Sequence, residues 1–594
     1  MVEDGSQALA DRVHLSYRTR VGGVVADKEL PLRLLVIADF RGHGVETPVA
    51  ERAVIGVHGE DLSAAMGALS PCCRFTIPDR LGEAGTLSVE LAPRSLDDFH
   101  PDRIAEAVPA LGAMVRLRDA LIAARECGVA DGPTAAILAA MGDAQDAGAV
   151  RALVAAAGAD VVEPDRRWYD MLIGEVDRRL SAQVDALLHA PELQALEASW
   201  RSLAYLVAEA DFDENIRIDL LAVGQDELQA DFEDAPEIVQ AGLHAIAYVA
   251  EYGTYGGEPY AAIIADYQFA HSARDLALLR NCAAIAAMAH AVFLAGAHPA
   301  MFGCANHAEL GALHDVGGMF AGPQYARWRA FRASEDARSV ALTAPRFLLR
   351  APYRERAVHR FRYCEDTADG LGARLWGNAA FALATRLVAA FARYRWCPNI
   401  VGPEGGGAVQ VAAVEPWVGL GGGAMRMAVE VDIDERGEAA LAAAGFVPLC
   451  ERRASDGLCF YSANSCQQAQ QFNADASGRA AMVNSVLGTR LPFLLVVNRI
   501  AHYLKVMQRE HIGSWRQSAD VERALNAWLR EYVASVDDPA PSVRAQRPLR
   551  EAEVNVQPAS GESGWYRVAL RVRPHFRYLG VPLDLTVLGR LETT

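Results

Sequence analysis

Four side chains that could bind a transition metal lie close together in the middle of the sequence: His298, Cys304, His307 and His314. Histidine nitrogen and cysteine sulfur are the usual protein ligands of zinc. The spacing C-x2-H-x6-H, however, matches no standard closed zinc site, and the surrounding sequence is typical of loops. We expect ordinary histidines and a buried cysteine here, and keep a zinc-dependent enzyme that uses residues 298–314 as an open alternative.

Two glycine-rich stretches, at 402–407 (GPEGGG) and 419–423 (GLGGG), could form turns around a phosphate group. A phosphate-binding loop requires a lysine and a serine or threonine after the glycines, or the pattern G-x-G-x-x-G between a strand and a helix. The chain has only two lysines, Lys28 and Lys505, so no lysine directly follows either stretch. The sequence therefore predicts turns or loops here, and no nucleotide or other cofactor.

A short run of charged residues could form a catalytic network, but its composition is also typical of ion pairs or of an interface. The run contains Arg332, Glu335, Asp336 and Arg338. Neither the G-x-S-x-G pattern of a hydrolase nor the H-E-x-x-H pattern of a zinc protease occurs in the chain. We therefore predict that these four residues belong to a charged interface, that the chain has no catalytic residue, and that it is not an enzyme.

The overall composition is that of a globular protein with several domains. The 594 residues are 52% hydrophobic and 22% charged, and the formal net charge is -18. This negative charge argues against a nonspecific grip on nucleic acid or on an anionic membrane. The sequence begins without the apolar core of a secretory signal, and its ten cysteines form no C-x-x-C pair, so we expect a cytoplasmic protein.

One apolar stretch, residues 276–297, is long enough to cross a bilayer. It contains Arg280, Asn281 and His290, and alanine supplies much of its apolar character. We therefore predict a single buried helix over 276–297 and no direct insertion into a membrane.

Apolar residues recur at helical and at strand spacings along the chain. Residues 169–188 carry an apolar stripe at three- and four-residue steps, which predicts an amphipathic helix. Strands are predicted at 30–38, 216–223, 259–267, 552–557, 565–573 and 583–588. This alternation predicts an α/β (α+β) fold of several domains, with mixed sheets flanked by helices and with strands at both termini.

Strands at the two ends of a chain can pair with a neighbouring molecule, because a free strand completes the open edge of another sheet. Apolar side chains on alternate positions mark such strands at both termini. Our candidates for inter-subunit strands are Val13, Leu15, Tyr17, Tyr566, Val568, Leu570 and Val572. The alternative is that these strands pair only within their own chain.

Several long segments resemble, in content and order, the large sheath subunit of the bacterial type VI secretion system, TssC or VipB. They include LEASWRSLAYLV (196–207), EYGTYGGEPYAAIIADYQFAHS (251–272) and LGTRLPFLLVVNRIAHYLKVMQREHIGSW (487–515). The segments RVHLSYRTRVGG (12–23) and KELPLRLLVIADFRG (28–42) resemble the small sheath subunit, TssB or VipA.

The chain therefore looks like a natural fusion of two sheath subunits. We predict a small-subunit-like domain at 1–127 and an Ala/Gly-rich helical segment and linker at 128–164. A large-subunit-like region at 165–594 follows, with C-terminal strands at 552–591.

The resemblance implies a structural protomer of a contractile sheath. In this family protomers polymerise into a helical tube around an inner tube of Hcp hexamers, above baseplate components. Contraction of the sheath propels the inner tube. The sheath of another phage-tail-like contractile particle is the alternative of the same class.

One segment departs from the family pattern. The large subunit usually begins with a further helical segment, which the ATPase ClpV recognises on contracted sheath. The weaker helical region near residues 137–154 could correspond to the C-terminal helix of the small subunit, which leaves only about residues 159–165 between the two halves. The resemblance therefore does not predict recognition by ClpV.

Overall fold

A computed structural model describes residues 15–21, 24–59, 62–81, 85–127, 166–354, 357–368, 370–418, 424–452, 457–472, 476–510, 518–536, 547, 549–558, 565–574, 577–578, 581–582 and 585–592.

The strands of the described residues, in chain order, are Tyr17–Val21 (β1), Val24–Lys28 (β2), Leu32–Ala38 (β3), Ile55–Val57 (β4), Cys73–Pro78 (β5), Thr86–Leu91 (β6), Ile216–Ala222 (β7), Ala262–Phe269 (β8), Val292–Ala297 (β9), Val340–Ala344 (β10), Phe347–Arg350 (β11), Leu375–Gly377 (β12), Ala408–Val409 (β13), Glu415–Val418 (β14), Ala424–Met427 (β15), Phe446–Pro448 (β16), Cys450–Glu451 (β17), Leu458–Cys459 (β18), Leu549–Pro558 (β19), Trp565–Pro574 (β20), Arg577–Tyr578 (β21), Val581–Pro582 (β22) and Leu585–Glu592 (β23).

The helices of the same residues are Ser63–Leu69 (α1), Pro101–Ala107 (α2), Pro109–Cys127 (α3), Arg166–Leu188 (α4), Pro191–Ala208 (α5), Gln225–Asp234 (α6), 242–252 with a π-helical middle (α7), Ala273–Ala289 (α8), Val316–Ala321 (α9), Ala326–Arg332 (α10), Ala379–Tyr394 (α11), Glu435–Ala443 (α12), Ala476–Gly488 (α13), Leu491–Glu510 (α14) and Ser518–Arg530 (α15). Helices and mixed sheets follow one another along the chain, and the α/β prediction is confirmed.

The largest sheet has seven strands in the order β16-β10-β9-β8-β3-β7-β4. All neighbours in it are parallel except β4, which pairs antiparallel with β7 at one edge. The strand β3, near the start of the chain, lies between β7 and β8, both from the large C-terminal region. A strand in the middle of a parallel sheet is covered on both faces, which accounts for its nearly continuous apolar sequence. The two parts of the chain therefore share one sheet.

Alternate side chains of β3 belong to two different hydrophobic cores. Leu34 and Val36 pack into a core that also contains the apolar faces of α3, α4 and α5. Leu35 and Ile37 pack into a second core with the apolar face of α8. Because side chains of a strand alternate between the two faces of the sheet, β3 contributes to both cores at once.

The helices α3 and α4 form an antiparallel pair beside the first core. Arg118 Nε donates to Asp177 Oδ1 at 2.6 Å, and Arg125 Nη1 donates to Asp170 Oδ1 at 2.8 Å. The two helices therefore run in opposite directions. The end of α3 and the start of α4 consequently lie at the same end of the pair.

The prediction of a single helix over 276–297 is wrong. The helix α8 ends at Ala289, and His290 follows it with a φ of 51°, in the left-handed region. The chain then turns into β9, which is completely buried between β8 and β10. In the ranges given above, no helix is long and apolar enough to cross a membrane.

Candidate assembly interface at the chain termini

The N-terminal strands form a hairpin against the body of the protein. β1 pairs antiparallel with β2, with Tyr17 opposite Lys28 and Val21 opposite Val24. The side chains of Leu15 and Tyr17 are both buried in their own chain. Val13, our third candidate in this segment, lies outside the described residues.

The C-terminal strands form a three-stranded antiparallel sheet in the order β19-β20-β23. Val568, Leu570 and Val572 occupy alternate positions of β20 and are buried. Tyr566 pairs through its backbone position with Pro558 and Leu591, but its side chain lies outside the described part of the structure. The predicted C-terminal strands are therefore present, and the two longest run from Leu549 to Pro558 and from Trp565 to Pro574.

Both sets of terminal strands pack into one hydrophobic cluster, built around α14 and α15. Tyr503 contacts the Tyr17 ring edge-on at 6.1 Å between centroids and stacks on Trp528 at 5.8 Å. The Tyr503 hydroxyl donates to the Leu15 carbonyl at 2.6 Å, and burial raises the pKa of Tyr503 to about 12. Trp528 Nε1 donates to the Ser16 carbonyl at 2.7 Å. The two ends of the sequence thus meet in space.

A buried arginine holds the segment that connects the hairpin to β3. Arg499, on α14, donates through Nη1 to the Pro31 carbonyl at 2.8 Å and through Nη2 to the Leu30 carbonyl. The Leu30 N–H in turn donates to the Tyr503 hydroxyl at 2.9 Å. The backbone before β3 is therefore fixed to α14 by side chains rather than by sheet pairing.

The outer edge of β19 is covered by α15. Asn526 donates to the Val554 carbonyl at 2.7 Å and accepts from the Val554 N–H at 2.9 Å. Glu522 accepts from the Val556 N–H at 2.9 Å. Side chains that take up edge N–H and C=O groups prevent another strand from pairing there. By contrast, β23 pairs with β20 alone among the described residues, so its outer edge has no backbone partner in that part of the chain.

The charged run at 332–338 forms no ion pair in the described part of the chain. Arg332 donates to two carbonyls of its own chain, those of Cys466 at 3.0 Å and Ala443 at 2.9 Å. Glu335 is exposed, whereas Asp336 and Arg338 are half-buried. Burial and the nearby Glu335 carboxylate raise the pKa of Asp336 above its usual value. An assignment of these residues to a charged interface therefore stays a prediction.

His298, Cys304 and His307 are engaged in local contacts, whereas His314 is exposed. His298 Nδ1 accepts from the Ala300 N–H at 3.1 Å, and the Cys304 thiol donates to the Phe302 carbonyl at 3.6 Å. His307 is buried, with Nε2 2.9 Å from the Ala297 carbonyl and Nδ1 2.7 Å from Glu430. No group of three His, Cys, Asp or Glu side chains among the described residues is placed to hold a metal ion.

Burial would raise the pKa of the Glu430 carboxyl, but contacts from His307 and Arg346 outweigh it and lower the pKa to about 2. The carboxylate therefore carries its charge inside the protein. Its partners make it part of an internal ion-pair network rather than a free general acid or base.

The glycine-rich stretch at 402–407 folds onto its own chain. The Gly407 N–H donates to the Gly402 carbonyl at 2.8 Å, and Gly402 and Gly406 have positive φ angles. A β-carbon on Gly407 would lie 2.4 Å from the Phe460 carbonyl oxygen, which accounts for glycine at this position. The second stretch, 419–423, lies outside the described residues.

Sequence reasoning missed the residues of α14 and α15 that organise the termini. Arg499, Tyr503, Asn526 and Trp528 act on backbone groups up to several hundred positions away. The position of Tyr503 on the apolar face of its helix predicts that the ring is buried. It does not predict which backbone group the hydroxyl binds.

Models of known protein families match most of the chain. Residues 170–467 match the family described as EvpB/VC_A0108, tail sheath N-terminal domain. Residues 480–591 match the EvpB/VC_A0108, tail sheath gpW/gp25-like domain. Residues 5–128 match the family described as Type VI secretion system, VipA, VC_A0107 or Hcp2.

Two curated relatives come from Pseudomonas aeruginosa strain PAO1. The chain is 36% identical over 434 residues to type VI secretion system sheath protein TssC1. This alignment covers 71% of this chain and 86% of the relative. It is 30% identical over 114 residues to type VI secretion system sheath protein TssB1, or 19% of this chain and 66% of the relative. None of these matches favours a zinc enzyme or another contractile particle. The chain therefore belongs to the type VI secretion sheath family, as a structural protomer in which a TssB-like part and a TssC-like part are fused.

Proposed function

We propose that copies of this chain polymerise around an inner tube of Hcp, attach to baseplate components, and contract to propel that tube. Membership of the sheath family supports self-assembly. The proposal adds the inner tube, the baseplate and the contraction step. It also holds that the protein works in the cytoplasm and catalyses no reaction.

The arrangement of the terminal strands carries this proposal. The side chains of Leu15, Tyr17 and Leu570 anchor their strands in the body of their own protomer. The hairpin β1–β2 and the strand β23 leave unpaired backbone edges in the described part of the chain. Such edges are templates for strand addition. Each terminal sheet can therefore be fixed to one protomer and paired with the next.

In this arrangement, the side chains and the backbone of the terminal strands make different contacts. Their side chains hold the strands to the protomer, and the backbone edges form the inter-subunit pairs. The anchoring set that we propose is Val13, Leu15, Tyr17, Tyr566, Val568, Leu570 and Val572. Contacts between different surfaces of successive copies continue into an open helix when the rotation between copies does not close a ring.

We further propose that the charged residues at 332–338 contact a neighbouring copy. Glu335, Asp336 and Arg338 have no ion-pair partner among the described residues, and a neighbour could supply one. We also propose that the sequence divides at 1–127, 128–164 and 165–594. The shared sheet means that these divisions mark the two ancestral subunits rather than bodies that fold separately.

The open edge of β23 provides a precise test. Because the Val554 backbone bonds to Asn526, Val554 and Leu570 form a pair without mutual hydrogen bonds. Antiparallel pairs alternate, so Leu570 bonds to Val587, and the Leu588 N–H points to the open edge. Leu588→Pro removes that N–H without removing a bond to β20.

We expect electron microscopy of the wild-type protein with its cognate inner-tube protein to show tubes. The Leu588→Pro variant should remain folded by circular dichroism but form no tubes. Leu588→Ala, which keeps the N–H, is the matched control and should assemble normally. Normal tubes from Leu588→Pro would refute the role of β23, and an absence of tubes from the wild-type protein would refute the proposed function.

A further inference from the structure

A small cavity lies where the N-terminal segment, α11 and α14 meet. We call it the Arg499 cavity, and its walls include Leu32, Phe391, Arg395, Trp396, Asn498 and Arg499. Its volume is about 20 Å³. A cavity of this size holds one particle of roughly the size of a water molecule.

The walls of the Arg499 cavity carry hydrogen-bond donors without acceptors. Four buried nitrogens have no acceptor in the described part of the chain: Arg395 Nε, Trp396 Nε1, Asn498 Nδ2 and Arg499 Nε. Trp396, Asn498 and Arg499 are each more than nine-tenths buried. Buried donors are almost always paired in folded proteins, so a cavity lined by these four residues is a candidate site for a shared acceptor.

The positive charge of Arg499 also lacks a counter-ion among the described residues. The terminal nitrogens of Arg499 donate to the carbonyls of Leu30 and Pro31, which are neutral groups. Arg499 forms no ion pair with a carboxylate among the described residues, whereas Arg395 is paired with Glu214 at 2.5 Å. Buried charges are normally paired, because a charge without a counter-ion is costly in a low-dielectric interior.

The neighbouring histidine adds neither a further positive charge nor a negative charge. Burial, together with the positive charge of Arg499, lowers the pKa of His502 to about 3, so its ring is neutral near pH 7. The Phe391 ring lies 5.0 Å from the Arg499 guanidinium carbon and 5.7 Å from that of Arg395. The cavity is therefore bounded by two guanidinium groups and an aromatic ring.

We propose that the Arg499 cavity binds one monatomic anion of the halide class. A water molecule there would accept from only two of the four donors and would supply no counter-charge. A halide ion has no O–H group to satisfy, can accept from several of these donors at once, and supplies the counter-charge that Arg499 lacks. Sulfate and phosphate are too large for about 20 Å³.

The bound anion would strengthen the attachment of the N-terminal segment to α14. Arg499 contacts the anion with Nε and holds Leu30 and Pro31 with its terminal nitrogens. An ion that fixes the guanidinium group thus also fixes the backbone between β2 and β3. This inference does not depend on the proposed role in a contractile sheath.

The unfolding of the full-length protein in different sodium salts tests the proposal. At constant ionic strength, chloride and bromide should raise the unfolding temperature in a saturable manner, because a ligand that binds only the folded state stabilises it. Gluconate and sulfate, which do not fit, should not. Equal unfolding temperatures in chloride and gluconate would overturn the proposal and indicate a water molecule only.

Two tryptophan variants distinguish the cavity from a general salt effect. Trp396→Phe removes one donor of the site and should weaken chloride binding by about tenfold or more, as expected for a hydrogen bond to a charged group. Trp328→Phe is the matched control, because Trp328 Nε1 is also buried without an acceptor but belongs to a different core. The same chloride dependence in both variants would overturn the assignment.

Direct binding keeps the test valid if Trp396→Phe does not fold. Broadening of the chloride NMR signal by the wild-type protein should be reversed by bromide and not by gluconate. Broadening that bromide does not reverse, or none at all, would contradict a halide site.

Discussion

Arg118 Nε lies 2.6 Å from Asp177 Oδ1, and this contact joins α3, the last described helix of the TssB-like part, to α4, the first described helix of the TssC-like part. Asp177 also accepts from the Arg362 N–H at 3.4 Å. The pair is largely buried between α3 and α4. Because both helices meet residues 128–165 at the same end, the fusion does not require a connection that crosses the protein.

We predict that Arg118→Met lowers the free energy of unfolding by about 2–3 kcal/mol, because it leaves Asp177 buried without its cation. Urea unfolding would measure this change. Arg125→Met is the matched control on the same helix. Its partner Asp170 is about half exposed, so we expect a loss below about 1 kcal/mol. Equal losses in the two variants would contradict a special role for Arg118.

A second prediction concerns the shared sheet. Residues 1–127 and 166–594, produced as separate chains in one cell, should bind each other and purify together. Each piece alone should be largely insoluble, because β3 is needed between β7 and β8 and contributes to both cores. Co-purification through a tag on the first piece would measure the association.

Leu34→Asp in the first piece should abolish this association, because Leu34 is fully buried in the first core. Glu51→Gln, at a position exposed to solvent, is the control and should leave it unchanged. A soluble, monomeric 166–594 piece would contradict the idea that the two parts fold as one.

The β3 strand shows what could be predicted from the sequence. Its run of apolar residues indicated a buried strand, and the structure has that strand at Leu32–Ala38. Its neighbours could not be predicted, because parallel partners are joined by long connections and an apolar pattern does not specify register. The 276–297 stretch shows the opposite case, since nothing in an alanine-rich run signalled the left-handed His290 that ends α8.

The candidate assembly interface was likewise predicted only in part from the sequence. Alternation of apolar residues identified the C-terminal strands, including the buried Val568 and Val572. This alternation could not show that Asn526 covers the edge of β19, whereas β23 has no backbone partner on its outer edge among the described residues. A side-chain bond to a distant backbone group has no local sequence signal, because either partner alone is an ordinary polar group.

A third prediction follows from the buried Lys505. Its Nζ donates to the Met288 carbonyl at 2.9 Å and lies 4.9 and 4.7 Å from the rings of Tyr248 and Tyr252. Burial lowers the pKa of Lys505 from 10.5 to about 7. Between about pH 7 and pH 10.5 the Lys505 side chain is therefore protonated in the unfolded chain and neutral in the folded chain. Stability should therefore rise with pH from about 7 to about 10, by up to about 1.4 kcal/mol per pH unit.

Urea unfolding at several pH values would measure this rise, and Lys505→Met should flatten it. Lys28→Met, which changes the other lysine of the chain at a partly exposed position, should retain it. An unchanged pH dependence in Lys505→Met would show that other groups cause the rise.

A fourth prediction concerns disassembly. We predict that the ATPase ClpV does not retain this protein in a pull-down, because the sequence resemblance leaves only about residues 159–165 for the segment that ClpV recognises in the family. A sheath protein that carries this segment is the positive control. Retention of the full chain, lost on deletion of residues 128–165, would contradict the prediction.

The last prediction concerns Glu365, which shares Arg350 with Glu197. Arg350 Nη1 donates to Glu365 Oε2 at 2.7 Å, and Nε lies 3.3 Å from Glu197. Burial would raise the pKa of Glu365, but its contacts with His189 and Arg350 outweigh burial and lower the pKa from 4.5 to about 2. The folded chain thus binds its proton later than the unfolded chain as the pH falls. This stabilisation is present above about pH 4.5 and is lost as the pH falls towards 2.

Glu365→Gln should therefore lower the free energy of unfolding at pH 7 by about 3 kcal/mol, because it removes one of the two carboxylates that neutralise a buried arginine. The difference from wild type should shrink as the pH falls from 4.5 towards 2, which chemical unfolding at acidic pH would measure. Glu404→Gln, in an exposed loop, is the control and should match wild type throughout. A Glu365→Gln difference that is the same at pH 7 and near pH 2 would mean that packing, and not the charge on Glu365, stabilises this region.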